Sequence, residues 1–274
     1  MTINNLNKKL NIVTVIQARM LSSRYPYKVI MDLVGKPLLY RQLERISASC
    51  AAGKLVVATT TEPADDYISD FCHKENIDFY RGDSSDLLDR HYKTAICFNA
   101  DVIVKIPSDC PLIDPGIIST VINSFLDNYG KYDYVSNLHP PTYPDGNDVE
   151  VMTFSALNNA WLNAKKDYER EHTTPYFWEN PDQFKIGNIT WETGLDYSMN
   201  HRWTIDYEED YLFVKTVYEE LYPKNKNFSL LDILSLLERK PSIKKINEKY
   251  NGVNWYRNHL NELKTISQSQ TKIY

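Results

Sequence analysis

An α/β fold, with a mostly parallel sheet covered by helices on both faces, is what this sequence predicts. Two observations carry that expectation. Through the first half, short runs rich in β-branched residues alternate with longer segments whose apolar residues recur at helical spacing. Repeated strand–helix units of this kind join parallel strands by crossovers, which place helices on both faces. In such sheets the site lies at the carboxyl ends of the strands, so the residues just after each strand are the ones to inspect.

The elements follow in order. Ile12 to Ala18 (IVTVIQA) suits a buried strand. Pro37 can open a helix with Leu38, Leu39, Leu43 and Ile46 on one face. Leu55 to Thr60 is the second strand-like run, and Pro63 to Lys74 a helix carrying Ile68, Phe71 and Cys72. Ile77 to Tyr80 is a short strand. Ser84 to Phe98 places Leu87, Leu88, Tyr92, Ala95 and Ile96 at helical spacing. Val102 to Ile106 is the fourth strand. Asp114 then offers an N-cap and Pro115 a first helical residue, ahead of Ile117, Ile118, Val121, Ile122 and Phe125.

The second half changes character. Residues 132–154 read as two extended stretches around the turn-rich loop HPPTYPDGND. Helices are expected near 155–166, 169–179, 207–221 and 229–239, and strands over 184–191 and 203–206. The polar tail from about Ser242 is expected to be helical and to fray at SQSQTKIY.

Composition narrows the function. With 274 residues, 42% hydrophobic and 24% charged, the chain can bury a sizeable core and is not disordered. It has only 9 glycines against 13 prolines, and neither GxxxxGK[ST] nor GxGxxG after a strand occurs. P-loop kinase chemistry and a Rossmann dinucleotide site are therefore disfavoured. A net charge of −5 gives no reason to expect nucleic acid. Cys50, Cys72, Cys97 and Cys110 are never in CxxC spacing, so no zinc motif is expected and a reduced setting fits. No apolar run approaches the roughly 18 residues of a membrane span. The opening MTINNLNKKLN is polar, unlike a signal peptide. A cytoplasmic protein with no nucleic-acid or membrane partner is the expectation.

Five segments could carry chemistry. After the first strand, Gln17 to Lys28 places Arg19, Arg24 and Lys28 beside Ser22 and Ser23. Three cations there match a polyanion such as a triphosphate, although a solvated basic loop has the same composition. After the fourth strand, Asp109 sits where a Mg²⁺-binding carboxylate often does, or is a plain loop acid, while Asp114 is better read as a cap. In HRWTIDYEED, Asp206 could converge on Asp109 to complete a divalent-metal site, or cap the next helix. Its neighbours Glu208, Glu209 and Asp210 suit a first helical turn. In YPDGNDVE, Pro144, Asp145 and Gly146 make a turn. Asp148 and Glu150 would share one strand face. Last, His172 beside Arg170 and Glu171 is a weak candidate for substrate contact. The remaining histidines form no ligand spacing. Asp86 and Arg90 are spaced for capping and an i,i+4 pair.

These segments, in this order, resemble the spore-coat polysaccharide cytidylyltransferase family, related to the acylneuraminate and 3-deoxy-manno-octulosonate cytidylyltransferases. IQARMLSSRYPYK, RGDSSDLLDRHY, DCPLIDP, YPDGNDVEV, REHTTPY and HRWTIDYEED carry the likeness over roughly residues 12 to 245. The resemblance implies a three-layer nucleotide-diphospho-sugar transferase (GT-A-like) fold with a mixed central sheet, CTP as donor and a sugar acid as acceptor. It implies one domain with a nucleotide-binding half (12–131), an acceptor-binding and dimerising half (132–240) and a helical tail (241–274).

Arg19, Lys28, Asp109 and Asp206 become the expected catalytic residues, with Mg²⁺ on Asp109 and Asp206. Gln17, Ala18, Ser22, Ser23, Arg24, Arg90 and Ser108 join Arg19 and Lys28 around the nucleotide. Tyr143, Asp145, Asp148, Glu150, Glu171, His172, His201 and Arg202 are expected on the acceptor side. A homodimer through residues 132–200 is also implied, where Tyr132, Tyr134, Tyr143, Trp161, Trp178 and Trp191 suit either an interface or a core.

Relatives often read GSTRLPGK where this chain has Leu21 to Lys28, so Leu21 and Tyr27 replace glycines, and often TGD or QGD at Pro107–Asp109. Two rival readings remain: a glycosyltransferase of the same fold that uses a preformed nucleotide sugar, and a non-catalytic binding protein.

Overall fold

The computed structural model describes residues 9–273. Most of the polar opening segment, and the final Tyr274, lie outside the described residues. The strands are β1 (Ile12–Gln17), β2 (Asp32–Leu33), β3 (Lys36–Pro37), β4 (Lys54–Thr60), β5 (Asp78–Gly82), β6 (Val102–Pro107), β7 (Tyr134–Ser136), β8 (Glu150–Thr153) and β9 (Ile186–Asn188). The helices are α1 (Leu38–Ser47), α2 (Asp66–Lys74), α3 (Leu87–Cys97), α4 (Pro115–Asp127), α5 (Phe154–Asn163), α6 (Asp167–His172), α7 (Pro175–Trp178), α8 (Glu208–Leu221), α9 (Leu230–Arg239) and α10 (Pro241–Lys244).

Seven strands form one sheet in the order β5-β4-β1-β6-β8-β7-β9, and β2 and β3 make a small separate ribbon. β1 is parallel to both β4 and β6, which sets Gln17 opposite Ala58 and Pro107. β5 continues the parallel set, whereas β8 is antiparallel to β6 and to β7. The sheet is thus mixed and mostly parallel.

Alternate side chains feed two cores, as the two-residue strand period requires. Val13, Val15, Val56, Ala58, Ile103 and Met152 face one core, shared with α3, α5, α6 and α7. Ile16, Val57, Val102, Val104, Ile106 and Val151 face the other, shared with α1, α2, α4, α8 and α9. The result is three layers. The chain leaves β1 toward β4 and β5 and returns to β6 on the opposite side of β1. That reversal opens a crevice at the carboxyl ends of β1 and β6.

Local chemistry sets several boundaries. Asp114 caps α4 by accepting from the Gly116 and Ile117 amides (2.6 and 3.3 Å), and its other oxygen accepts from Leu230 N at 2.6 Å. One carboxylate therefore fixes the starts of α4 and α9. Asp86 caps α3 through Asp89 N. Pro37 stands at the N-cap of α1 rather than inside it, because it also belongs to β3.

Four expectations need correcting. The helix expected over 169–179 is broken into α6 and α7, with Thr173 between them at φ 72° and Pro175 opening α7. Residues 184–191 keep only the three-residue β9. Residues 203–206 are not a strand. Their backbone is satisfied by two loops instead, Trp203 N donating to Asp145 O (2.8 Å) and Ile205 N to Asp109 O (2.9 Å). The tail is helical only to Lys244. Beyond it, short 3-10 turns at Glu248–Tyr250, Trp255–Asn258 and Gln268–Gln270 fold back on the body, where Val253, Leu263, Ile266 and Thr271 are buried. The polarity of the tail hid the spaced apolar residues that anchor it.

The aromatics offered for an interface are mostly core. Tyr134, Tyr143, Trp178 and Trp191 are buried within the chain, and Trp161 stacks on Tyr92 at 4.2 Å. All four cysteines are free, and among the described residues no helix is long and apolar enough to cross a membrane.

Candidate functional site

The loop after β1 supplies the cations. Ala18 N is tied to Ala58 O (3.1 Å) and Met20 N to Asp65 Oδ1 (2.7 Å). Tyr27 N reaches back to Met20 O at 2.6 Å, which closes the loop. The closure holds Tyr27 at φ 64°, in the left-handed region, and leaves Leu21 and Tyr27 about half exposed. The next residue, Lys28, is buried and points inward.

Lys28 Nζ donates to Asp109 Oδ2 (3.1 Å), Asp206 Oδ1 (3.4 Å) and Ile205 O. Burial alone would push its pKa down, but the two carboxylates outweigh burial and hold it up. The same pairing keeps the Asp109 carboxyl below its usual range despite its burial. Arg24 meets Asp206 from the exposed side at 2.8 Å. Arg19 and Arg90 bracket the start of the next loop, through Ser84 O and Asp83 O. Burial, and then the charge of Arg19, push Arg90 down to about 10.

Two acids from distant segments thus converge on one cation. Among the described residues, no group of three or more His, Cys, Asp or Glu side chains could hold a metal ion by itself. A pair of carboxylates fits Mg²⁺ when substrate phosphates and water complete its shell. Asp109 and Asp206 are such a pair.

The crevice deepens beside them into a cavity lined by the loop 143–150, by Lys105 of β6 and by rings from α7 and the tail. Gly146 makes the loop possible. It stands at φ 103°, and a Cβ there would come within 2.8–3.0 Å of the Trp203–Thr204 backbone. Asp145 lies 3.4 Å from Arg202. Its carboxyl is raised well above the usual range by burial, against the pull of Arg202. Asp148 is pushed up to about 6 by burial and then by the charges of Asp109 and Glu150. Glu150 sits opposite Lys105 in the ladder, accepts from it, and also accepts from Tyr134 OH at 2.6 Å. Lys105 outweighs burial there, and the Glu150 carboxyl is lowered.

Arg202 is buried beneath the cavity. It reaches Asp210 (3.1 Å), Asp206 (2.8 Å), Asp145 and the carbonyl of Val253. Burial alone would lower its pKa, but these three carboxylates raise it.

Comparison with known proteins fits this geometry. A family model described as cytidylyltransferase matches residues 13–248. The chain belongs to the cytidylyltransferase family. This cytidylyltransferase is 36% identical over 243 residues to the uncharacterized protein MJ1063 of Methanocaldococcus jannaschii, covering 87% of this chain and 95% of that one. It is 29% identical over 236 residues to the spore coat polysaccharide biosynthesis protein SpsF of Bacillus subtilis, covering 84% and 95%. A solved cytidylyltransferase from Leptospira borgpetersenii superposes with a TM-score of 0.81 at 34% identity, covering 86% of this chain and 97% of that one. A CMP:2-keto-3-deoxy-manno-octonic acid synthetase complexed with CTP shares the fold, with a TM-score of 0.57 at 17% identity, covering 76% and 98%. The cytidylyltransferase is an enzyme of the nucleotidyl-transferring class.

Within the cytidylyltransferase, Gln17, Arg24, Asp109, Tyr143, Asp145, Asp148, Glu150, His172, Arg202 and Asp206 line the cavity. Lys28 joins them through its carboxylate partners. Ala18, Arg19, Ser22, Ser23 and Ser108, in the loops after β1 and β6, and Arg90 of α3 lie outside that lining.

Several residues differ from expectation. Glu171 is exposed and outside the lining. His201 is also outside it, stacked on Tyr197 at 4.7 Å with Nε2 3.3 Å from Lys244 Nζ. Asp148 is not on a strand face with Glu150, because β8 starts at Glu150; both reach the cavity all the same. Asp86 does not pair with Arg90 through its side chain. It takes Arg170 Nε instead, at 2.9 Å.

Sequence reasoning missed Lys105, His139, Trp178, Trp255 and Tyr256, all of which line the cavity. Lys105 did leave a trace, as the one charge in the apolar run Val102 to Ile106. The others carry no local signal: His139 meets Trp178 of α7 only in the folded chain, and Trp255 and Tyr256 join them from the tail.

Proposed function

We propose that this enzyme transfers CMP from CTP to a hydroxyl of a 2-keto-3-deoxy sugar acid, releasing pyrophosphate, for surface polysaccharide or glycan synthesis. The observation that carries the reading is the convergence of Lys28, Asp109 and Asp206 in the crevice between β1 and β6, beside an acid- and ring-lined cavity. The names of SpsF and of the CTP-complexed synthetase support it.

The nucleotide side belongs to the loop after β1. Gln17 lines the cavity, and its buried side-chain oxygen has no partner among the described residues, so it can accept from a nucleotide N–H. Arg19, Arg24 and Arg90 present guanidinium groups to the triphosphate, with Ser22, Ser23, Ala18 and Ser108 along its path. Asp109 and Asp206 would hold a divalent cation, with Mg²⁺ as our choice. When bound, it neutralises charge on the phosphates and acidifies a nearby hydroxyl.

In the reaction, the acceptor oxygen forms a bond to the α-phosphorus, the bridging bond to the β-phosphate breaks so that pyrophosphate leaves with its electron pair, and the hydroxyl proton passes to solvent water. Lys28, Arg24 and Arg19 stabilise the charge that accumulates on pyrophosphate. Lys105 uses only one of its donors on Glu150 and offers another to the acceptor's carboxylate. Tyr143, Asp145, Asp148 and His172 contact the rest of the acceptor.

The test is pyrophosphate release with CTP, Mg²⁺ and a panel of 2-keto-3-deoxy sugar acids. Release with at least one acid is expected. No release with any acid, together with no calorimetric CTP binding, overturns the reading. Tighter binding of a nucleoside-diphosphate sugar than of CTP would favour a glycosyltransferase instead. We also propose a cytoplasmic homodimer joined through residues 132–200, where Leu162 and Leu195 are exposed. Sedimentation as monomer at micromolar concentration would remove the dimer.

A further inference from the structure

The family match ends at residue 248, yet the cavity does not. Gly252, Val253, Asn254, Trp255, Tyr256 and Gln270 form one of its walls. This wall is built rather than draped. Arg202 donates to Val253 O, Lys272 N to Gly252 O (2.7 Å) and Asn254 Nδ2 to Gln270 O (2.9 Å). Asn254 Oδ1 accepts from Tyr256 N at 3.1 Å and so starts the turn that carries both rings.

The rings are placed against α6 and α7. Trp255 stacks on His172 at 3.9 Å with the planes 19° apart. Trp178 lies 6.2 Å from Trp255 and 6.1 Å from Tyr256, and His139 packs on Trp178 at 4.5 Å. Burial holds both histidines neutral, pushing His172 down to about 3 and His139 to about 4. The ring wall therefore carries no charge at neutral pH.

Two polar groups face that wall without protein partners of the expected kind. Asp109, Asp145, Glu150 and Asp206 each have an ion pair. Among the described residues, Asp148 has none, and its one hydrogen bond is accepted from Gly146 N at 3.3 Å. Among the described residues, the Tyr256 hydroxyl has no hydrogen-bond partner, although the charges of Glu150, Asp148 and Asp145 act on it. An unpaired acceptor, an unused hydroxyl and flat apolar faces are what a polyhydroxylated carbon chain requires: hydroxyls to bond and a C–H face to cover.

We infer that the segment Val253–Tyr256 completes the acceptor site, and that Asp148 and Tyr256 take the hydroxyls of the acceptor's sugar chain while Trp255 covers its carbon face. This rests on the acceptor class given under the proposed function. It makes Trp255 and Tyr256, beyond the family match, determinants of acceptor choice together with Asp148 within it.

The test uses the full chain with Trp255→Phe, Tyr256→Phe and Asp148→Asn, and an eight-carbon and a nine-carbon 2-keto-3-deoxy sugar acid as probes. The expected result is a roughly tenfold rise in acceptor KM for Tyr256→Phe and Asp148→Asn. The KM for CTP and the calorimetric Kd for CTP should stay within about twofold. Preserved CTP binding also shows that each variant is folded.

A second arm does not depend on turnover. Either sugar acid, added to the protein with or without CTP, should change the tryptophan fluorescence, and Trp255→Phe should remove that change. Acceptor KM and fluorescence response both equal to wild type in all three variants would overturn the inference. So would failure of both acids to change the fluorescence of wild type that binds CTP. Absence of CTP binding and turnover, with a Trp255-dependent response intact, would sink the cytidylyl reading and leave the acceptor wall standing.

Discussion

Lys28 and Asp206 form an ion pair across 178 residues of sequence, with Nζ 3.4 Å from Oδ1. Both side chains are almost fully buried, so neither charge is solvated if the other is lost. The pair joins the loop after β1 to the segment before α8, and Asp109 closes the triangle from the end of β6. Charge balance and the proposed catalytic geometry depend on the same atoms.

Lys28→Ala should therefore lose transfer activity and also destabilise the fold, by about 3 kcal/mol, because Asp109 loses its ion pair while Asp206 keeps Arg24 and Arg202. Mg²⁺ should then restore more stability to the variant than it adds to wild type. Thermal denaturation with and without Mg²⁺ is the measurement. An equal or smaller gain in the variant would argue against Asp109 and Asp206 as a cation-holding pair.

Asp148→Asn should separate stability from binding. The folded-state pKa, about 6, lies above the ordinary 3.8, so protonation favours the folded protein. The protonated carboxyl contributes fully below pH 4, and that contribution is lost as pH rises through 6. The variant should accordingly be more stable than wild type above pH 6, by about 3 kcal/mol at most, with the difference fading toward pH 4. Denaturant titrations at pH 4, 5, 6 and 7.5 would show it. A pH-independent difference would contradict the assignment.

Tyr27→Gly should be neutral to slightly stabilising. A tyrosine at φ 64° costs about 1–2 kcal/mol. Glycine removes that strain but gives back about 0.5–1 kcal/mol through the unfolded chain. Tyr27→Ala keeps the strain and loses the ring, so it should not gain stability. CTP affinity within about threefold of wild type in Tyr27→Gly would show that the loop, not the ring, holds the nucleotide. A large loss would instead give the exposed Tyr27 ring a direct role.

Lys105→Met should cost about 3–5 kcal/mol, since it strands the buried Glu150 carboxylate. Adding Glu150→Gln should recover most of that loss, because the amide keeps an acceptor for Tyr134 OH and carries no charge. Acceptor KM should stay high in the double variant. Recovery of both stability and acceptor KM would show Lys105 to be structural only.

Much of the first half was legible in the sequence because its signals are local. β-branched runs at Ile12 and Val102 mark central strands, and Asp114-Pro115 marks a helix start. Arg24, Lys28 and Asp109 follow strands, and topology alone brings such positions together. The acceptor side was less legible. Asp206 looked like the end of a strand, yet its segment is held by carbonyls of Asp145 and Asp109 that pairing rules cannot anticipate. His201 and Glu171 share the polar character of real lining residues and differ only in which way the chain turns. Trp255 and Tyr256 sit in a polar tail whose anchors, Val253, Leu263 and Ile266, are too sparse for a periodic signal.

Arg202 gathers its partners from residues 145, 206, 210 and 253. Every strand of the sheet, and the Lys28–Asp109 contact, lie before Val253 along the chain. Val253 is the last of the four anchors in sequence order, and the segment that follows it forms one wall of the cavity. Arg202 is therefore a rivet between body and tail: three carboxylates hold it from the body, and one carbonyl fastens to it the segment that encloses the cavity.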